Sequence, residues 1–181
     1  MRFRNTQNRY GFISLIFHWL TALVIFALFA LGLWMVELTY YDAWYRLAPH
    51  YHKSIGLLLM LAMLLRLGWR FYSRPPEPEP SLQRWEALSA RAAHILLYLL
   101  VFALGISGYL ISTADGLGIA LFNWFDVPAT LTGIDQQEDI AGEIHKWLAW
   151  SLISLAVLHA LAALKHHFLD KDRTLTKMFG K

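Results

Sequence analysis

The sequence predicts an all-α integral membrane protein, a four-helix bundle, and two observations lead to that fold class. Apolar residues make up 57% of the 181 residues and charged residues only 16%, below the roughly 25% that soluble domains carry. The chain also contains four nearly uncharged apolar runs of about 18–23 residues, close to the ~20 needed to cross a membrane. The runs cover residues 14–36, 52–69, 92–111 and 144–164. We therefore expect a single membrane domain over residues 1–181.

The connections between the spans differ in composition. A short aromatic segment, residues 37–51, joins the first span to the second. The second and third spans are separated by the sequence Arg74-Pro75-Pro76-Glu77-Pro78-Glu79-Pro80. Proline at every second position cannot continue a helix and favours an extended spacer. The longest connection, residues 112–143, is rich in Gly and Asp, and its aromatic residues suit an interfacial segment.

Basic residues predict the orientation of the chain. Four spans place both termini and the connection over residues 70–91 on the same side of the membrane. Thirteen of the 16 Lys and Arg residues lie on that side, and only Arg46, Lys53 and Lys146 lie on the other. The positive-inside rule therefore predicts that both termini are cytoplasmic. The same basic side is expected to attract anionic membrane lipid.

Several histidines lie at membrane depth, where an ionisable side chain is expensive and marks a functional candidate. His145 and His159 are 14 residues apart in the fourth span, which brings them to within about 40° of the same helix face and ~21 Å apart along the axis. His52 matches the depth of His145 on the outer side. On the inner side, either His18 or His94 matches His159. Two stacked two-histidine sites are expected.

The residue types restrict what such sites can bind. The chain has no cysteine, which excludes a thiolate zinc site, a cysteine-held iron–sulfur cluster and a disulfide framework. No Asp or Glu lies within the four spans, which argues against a di-iron carboxylate site. Two imidazoles facing each other in apolar surroundings suit haem iron with both axial positions filled. The sequence therefore predicts two non-covalent b-type haems that transfer electrons. It contains no nucleotide-binding or nucleic-acid motif.

Glycines occur at positions that agree with this interpretation. Gly32 is 14 residues after His18, and Gly56 is one helical turn after His52. Gly108 lies in the third span at the corresponding depth. A porphyrin edge needs a helix face without side chains, so these three glycines are predicted to face the outer haem. The alternative is ordinary packing of membrane helices, which also favours small residues.

Several short motifs together carry a resemblance to a known family. The chain resembles the bacterial cytochrome b561 family of four-span dihaem membrane proteins over nearly its full length. The motifs are Ile16-Phe17-His18-Trp19, His52-Lys53-Ser54-Ile55-Gly56, Ala93-His94, Glu143-Ile144-His145, Leu158-His159-Ala160 and Lys165-His166-His167-Phe168.

The resemblance implies specific roles for the histidines. It implies that His18 and His159 bind the inner haem iron, and that His52 and His145 bind the outer one. It further implies that His94 is a non-ligand beside the inner haem, and that the protein lies in the bacterial inner membrane.

The resemblance also suggests a reaction. The family includes a superoxide oxidase that passes electrons from superoxide to ubiquinone, and it implies that His166 lies beside the quinone. His166 is seven residues after His159, two turns along the same face. We expect electron transfer between an unidentified periplasmic partner and membrane ubiquinone. The alternatives are a superoxide:ubiquinone oxidoreductase and, from another class, a haem-free transporter that uses the histidines.

Overall fold

The computed structural model describes residues 2–180, and these residues are mostly helical. Four long helices are α1 (Phe12–Met35), α2 (Leu47–Tyr72), α3 (Arg84–Ser112) and α4 (Gln137–Phe168). The remaining elements are a short helix, α5 (Thr174–Lys177), and two strands, β1 (Ile119–Leu121) and β2 (Phe125–Val127). Each long helix is long and apolar enough to cross a membrane. The predicted all-α class with four spanning helices is therefore confirmed, while the cytoplasmic position of the termini stays a prediction.

The long helices extend beyond the apolar runs because their polar ends are good helix termini. In α2, Pro49 lies in the first turn, where proline is tolerated. At the start of α3, the Gln83 amide donates to Oε2 of Glu86 at 3.0 Å, which satisfies a free N–H group. In α4, Glu138 and Asp139 occupy the first turn and complement the helix dipole. The fourth helix consequently begins seven residues before the predicted span.

The long helices expose many large apolar side chains, which is unusual in a soluble protein. Large apolar side chains point outward along the helices, as at Leu99, which is 60% exposed. The completely buried side chains include the small polar residues Thr21, Ser54 and Thr113. Outward apolar and inward small polar residues are typical of helices surrounded by lipid.

The contacts divide the chain into two compact units. Unit 1 comprises Met1–Ala22, Ala62–Tyr98 and Ser154–Lys181, and unit 2 comprises Leu23–Leu61 and Leu99–Ile153. Every long helix contributes residues to both units.

Unit 1 contains a polar assembly that we name the terminal cap, formed by residues 5–11, 73–80 and 172–180. The Asn5 side-chain amide donates to the Ser73 carbonyl at 2.8 Å. The Trp19 indole N–H donates to the Met178 carbonyl at 2.8 Å. Nζ of Lys177 lies 2.6 Å from Oε1 of Glu79, and both side chains are nearly buried. The cap thus connects the N-terminal segment, the proline-rich connection and the C-terminal segment.

The proline-rich connection has no regular secondary structure over residues 74–79, as predicted. It is nevertheless more than a spacer. The Glu77 amide donates to the Gln7 carbonyl at 2.8 Å, and the Glu77 carbonyl accepts from Nζ of Lys177 at 2.9 Å. These contacts make the connection a structural part of the cap.

Unit 2 contains a small hairpin that the sequence did not predict. Strands β1 and β2 pair antiparallel, and Leu121 lies opposite Phe125. The turn between them uses left-handed backbone conformations at Phe122 and Asn123, with φ of 49° and 60°. The Ser54 hydroxyl on α2 accepts from the Phe122 amide at 3.1 Å and lies 3.3 Å from the Ala120 carbonyl, to which it donates. The hairpin is therefore attached to the turn of α2 that also carries His52.

Candidate functional site

Two histidines of unit 2 lie next to each other, and we name them the outer pair. His52 belongs to the second turn of α2, and His145 belongs to the part of α4 that starts the predicted span. Their ring centres are 6.3 Å apart and their planes are inclined at 68°. The structure therefore brings together the two residues that the sequence placed at the same depth.

The hydrogen bonds of His145 fix which ring nitrogen carries the proton. Nδ1 lies 3.2 Å from the Leu104 carbonyl and 3.0 Å from the Ser107 hydroxyl. A carbonyl oxygen only accepts, so Nδ1 carries the hydrogen and donates it. Nε2 then has the free lone pair that a metal requires. Ser107 is buried and also donates to the Leu104 carbonyl at 3.0 Å, which holds the arrangement in place.

His52 has a different environment. Its Nδ1 is buried and has no hydrogen-bond partner among the residues that the structure describes. An unpaired buried polar atom needs an explanation, because leaving it unpaired costs about 1–3 kcal/mol. Among the described residues, the Nδ1 atom of His52 therefore lacks the kind of hydrogen bond that holds the ring of His145.

Two of the three predicted glycines pack against the outer pair. A Cβ atom on Gly32 would lie 3.3 Å from Cε1 of His52, and one on Gly108 would lie 3.2 Å from Cε1 of His145. Within residues 2–180, nothing lies within 4 Å of the corresponding position on Gly56. Gly32 and Gly108 thus provide room for the histidine rings themselves. That any of the three faces a haem stays a prediction.

Three histidines of unit 1 lie together, and we name them the inner cluster: His18, His94 and His159. The ring centres of His18 and His159 are 6.4 Å apart, and those of His94 and His159 are 5.2 Å apart. The sequence left open which of the two is the partner of His159. The structure brings both close to it, at different separations.

Arg66 of α2 contacts the inner cluster, whereas the sequence indicated only that it is one of the thirteen basic residues on the side of the termini. Its Nη1 donates to the Thr21 hydroxyl at 2.7 Å, and its Nη2 lies 3.2 Å from Nδ1 of His18. Its guanidinium carbon lies 5.5 Å from the centre of the Tyr98 ring. A signal for this position exists in the sequence, because Arg66 follows His52 by 14 residues. That is the spacing that relates His145 to His159.

His166 lies among charged groups at the end of α4. Its Nδ1 is 2.8 Å from Oδ2 of Asp170 and 3.1 Å from Oδ2 of Asp172. Neither oxygen lies along the N–H direction that a hydrogen bond requires, since Nδ1 has no hydrogen-bond partner within residues 2–180. Lys165 pairs with Glu86 at 2.8 Å and with Asp170 at 2.7 Å. The carboxylates lie on the Nδ1 side, which leaves Nε2 as the nitrogen available to a further ligand.

The donor sets fit haem iron. A metal–imidazole bond is about 2.0 Å long and the ring centre lies roughly 1.2 Å beyond the nitrogen, so imidazoles on opposite sides of one metal have centres roughly 6.4 Å apart. The outer pair at 6.3 Å meets this requirement, as does the pair of His18 and His159 at 6.4 Å. The 5.2 Å separation of His94 and His159 is too short for it. Neutral nitrogen ligands in apolar surroundings are also the donors that b-type haem uses.

Comparison with known proteins identifies similar chains. A family model described as prokaryotic cytochrome b561 matches residues 9–181. The chain is 59% identical over 181 residues to cytochrome b561 homolog 2 of Escherichia coli, covering 100% of this chain and 96% of that protein. It is 28% identical over 180 residues to cytochrome b561 homolog 1 of the same organism, covering 97% and 99%. It is 29% identical over 176 residues to the probable superoxide oxidase CybB of Yersinia pestis, covering 97% and 98%.

Proposed function

Because this chain belongs to the prokaryotic cytochrome b561 family and is therefore a bacterial membrane cytochrome with b-type haem, we propose that it carries two such haems. The outer pair binds one haem iron, and His18 and His159 bind the other. His94 lies beside the second haem without binding its iron. The haem-free transporter considered from the sequence is set aside, because family membership implies b-type haem.

One observation carries this proposal. The two proposed ligand pairs have ring-centre separations of 6.3 Å and 6.4 Å, close to the spacing of two imidazoles on one metal. Each pair belongs to a different compact unit. Two independent pairs with the same separation favour two haems over one.

The protein residues hold and orient the groups that carry electrons. Bound haem iron accepts and donates one electron at a time between its ferric and ferrous forms. The Leu104 carbonyl and Ser107 keep His145 in the tautomer that presents Nε2 to the iron. If both histidines of a pair bound the iron, they would leave it no open position for dioxygen, which favours electron transfer over oxygen activation.

We further propose that the protein transfers electrons between a periplasmic partner and ubiquinone in the bacterial inner membrane. His166 supports the quinone half of this proposal. It is two helical turns beyond His159, and the carboxylates beside Nδ1 leave Nε2 free to bond a quinone carbonyl. The thirteen basic residues on the side of the termini support a cytoplasmic location for this end.

Superoxide is a second candidate for the outer electron donor. The observation that favours it is the 29% identity over 176 residues to a protein named probable superoxide oxidase. The protein would then act as a superoxide:ubiquinone oxidoreductase. Superoxide generated in the presence of the oxidised protein should reduce its haems, and superoxide dismutase should abolish that reduction. If dismutase has no effect, another donor supplies the electrons.

The haem count tests the central proposal. A pyridine haemochrome assay on fully loaded protein should give close to two b-type haems per chain. In redox titrations, His52→Ala and His145→Ala should remove the same component, and His18→Ala and His159→Ala should remove the other. A single haem per chain would contradict the proposal. Loss of the second component in His94→Ala, with its retention in His18→Ala, would assign the ligands differently.

Rapid mixing tests the role of His166. Reduced protein is mixed with a short-chain ubiquinone, and haem oxidation is followed optically in His166→Ala and in the neighbouring control His167→Ala. We expect oxidation to slow about tenfold in His166→Ala, which corresponds to about 1.4 kcal/mol. The control should keep the rate of the unmodified protein. Equal rates in the two variants, with both haems retained, would remove His166 from the quinone site.

A further inference from the structure

Arg66 is a charged residue inside a membrane helix that the proposed electron transfer does not use. It lies in α2, six positions before the helix ends at Tyr72. A charge at such a position is expensive and usually has a partner. Long basic side chains near a helix end normally extend towards the interface. Arg66 instead directs its guanidinium to Thr21, whose side chain is buried.

Among the residues that the structure describes, none neutralises the positive charge of Arg66. Within residues 2–180, no carboxylate lies within ion-pair distance of its guanidinium. Its contacts are a hydroxyl on Thr21, a ring nitrogen on His18 and the aromatic ring of Tyr98. All three are uncharged acceptors. A guanidinium in apolar surroundings is satisfied far better by a carboxylate, with which it forms paired charge-assisted hydrogen bonds.

The contact of Arg66 with His18 would have to change if His18 binds iron. A guanidinium only donates, so Nδ1 of His18 must accept from it. If iron binds Nε2, a neutral ring carries its proton on Nδ1, and two donors then face each other. If iron binds Nδ1, the metal displaces the guanidinium. In either case Arg66 must leave Nδ1 and take another acceptor.

We propose that Arg66 forms an ion pair with a propionate carboxylate of the haem held by His18 and His159. The inference rests on the proposed function and extends it to the anionic edge of the cofactor. Haem b carries two propionate carboxylates. A haem held by His18 and His159 would therefore bring carboxylates close to Arg66. Thr21 remains a second acceptor for the same guanidinium and fixes its direction. His18 then keeps a proton on Nδ1 and presents Nε2 to the iron.

The proposed ion pair should affect the reduction potential of the haem held by His18 and His159. A fixed positive charge close to the cofactor stabilises the reduced state, which has one positive charge fewer on the iron. Removing the charge should therefore lower the reduction potential of this haem and leave that of the outer haem nearly unchanged. The neighbouring Arg70 provides a matched control, because it lies one turn further along α2 and its side chain is exposed.

The test combines redox titration with infrared spectroscopy on protein loaded with two haems. The variants are Arg66→Gln, Arg66→Lys and Arg70→Gln. The redox component of interest is the one that His159→Ala removes. In Arg66→Gln, its ratio of reduced to oxidised haem at a fixed potential should fall at least tenfold. For a one-electron couple, a tenfold fall corresponds to a reduction potential lower by about 59 mV. Arg66→Lys should recover part of this ratio, and Arg70→Gln should change it less than twofold.

Haem labelled with ¹³C at the propionate carboxyls identifies the partner directly. The label-sensitive carboxylate band in redox-difference spectra should shift in Arg66→Gln and in Arg66→Lys, because neither side chain reproduces the paired hydrogen bonds of a guanidinium. An unshifted labelled band in Arg66→Lys, a variant that keeps the charge, would overturn the proposal. So would an equal loss of potential in Arg70→Gln, which would indicate a general surface-charge effect. A haem count of one in the unmodified protein would instead contradict the proposed function.

Discussion

A methyl group added at Gly108 should weaken haem binding at the outer pair. The Cβ atom would lie 3.2 Å from Cε1 of His145, shorter than the optimal carbon–carbon separation of about 3.5–4.0 Å. The ring must therefore move by a few tenths of an ångström. It cannot do so freely, because its Nδ1 is held by Leu104 and Ser107. We expect Gly108→Ala to change the position of a proposed ligand without removing it.

The expected magnitude follows from overpacking, which typically costs about 1–3 kcal/mol. Replacing a glycine in a helix by alanine also stabilises the helix by up to about 1 kcal/mol, and this gain is expected at any helical glycine. Gly68→Ala is therefore the matched control, because Gly68 is helical and nothing within residues 2–180 lies within 4 Å of its Cβ position. Because the helix contribution is the same with and without haem, we expect haem affinity at the outer pair to fall by about 1–3 kcal/mol, or about five- to 150-fold.

Transfer of haem to an excess of apomyoglobin measures this affinity, with the outer haem identified by its absence in His145→Ala. Gly32→Ala should have a smaller effect than Gly108→Ala. Its Cβ would lie 3.3 Å from Cε1 of His52, whose Nδ1 has no hydrogen bond to restrain the ring within the described chain. Equal haem retention in Gly108→Ala and Gly68→Ala would refute the reasoning, because it would mean that the His145 ring moves without penalty.

Two further predictions concern Ser107 and Lys177, for which the sequence indicated no role in a site. Ser107→Ala removes one hydrogen-bond partner of Nδ1 of His145 but leaves the Leu104 carbonyl. Haem affinity at the outer pair, measured by the same transfer assay, should therefore fall about tenfold, the lower limit for residues that support a metal ligand. An unchanged affinity would mean that the Leu104 carbonyl alone fixes the tautomer of His145. Lys177→Ala removes the ion pair with Glu79, whose side chain is only 14% exposed, and should lower the free energy of unfolding in detergent by about 1–3 kcal/mol. The exposed pair of Lys146 serves as the control, since its loss should change stability by less than about 1 kcal/mol.

The sequence predicted the four spans because long uncharged apolar runs have few alternatives. It did not predict where α4 begins, since Gln137–Gly142 is polar and its helical state depends on capping and local packing. The hairpin was missed for a related reason. Its strands have three residues each, too few for an alternating pattern, and its turn uses Phe122 and Asn123 where glycine would have been a clearer signal.

The candidate site was predicted in part. Helical spacing paired His52 with His145 by depth, and the structure brings their rings together. Spacing could not choose between His18 and His94, because depth along a helix does not specify the distance between rings on different helices. Arg66 was missed because a basic residue near a helix end is usually interfacial, and only the direction of its side chain distinguishes it.

The terminal cap bears on how the protein assembles. The bond from Trp19 to the Met178 carbonyl joins residues 159 positions apart, and the bond from Lys177 to the Glu77 carbonyl joins residues 100 positions apart. Neither can form until the fourth helix has been synthesised, because Lys177 and Met178 follow it in the sequence. Contacts that form after the rate-limiting step of folding slow unfolding and leave the folding rate unchanged. If the two contacts form after that step, we expect them to slow the unfolding of the finished protein without speeding its folding.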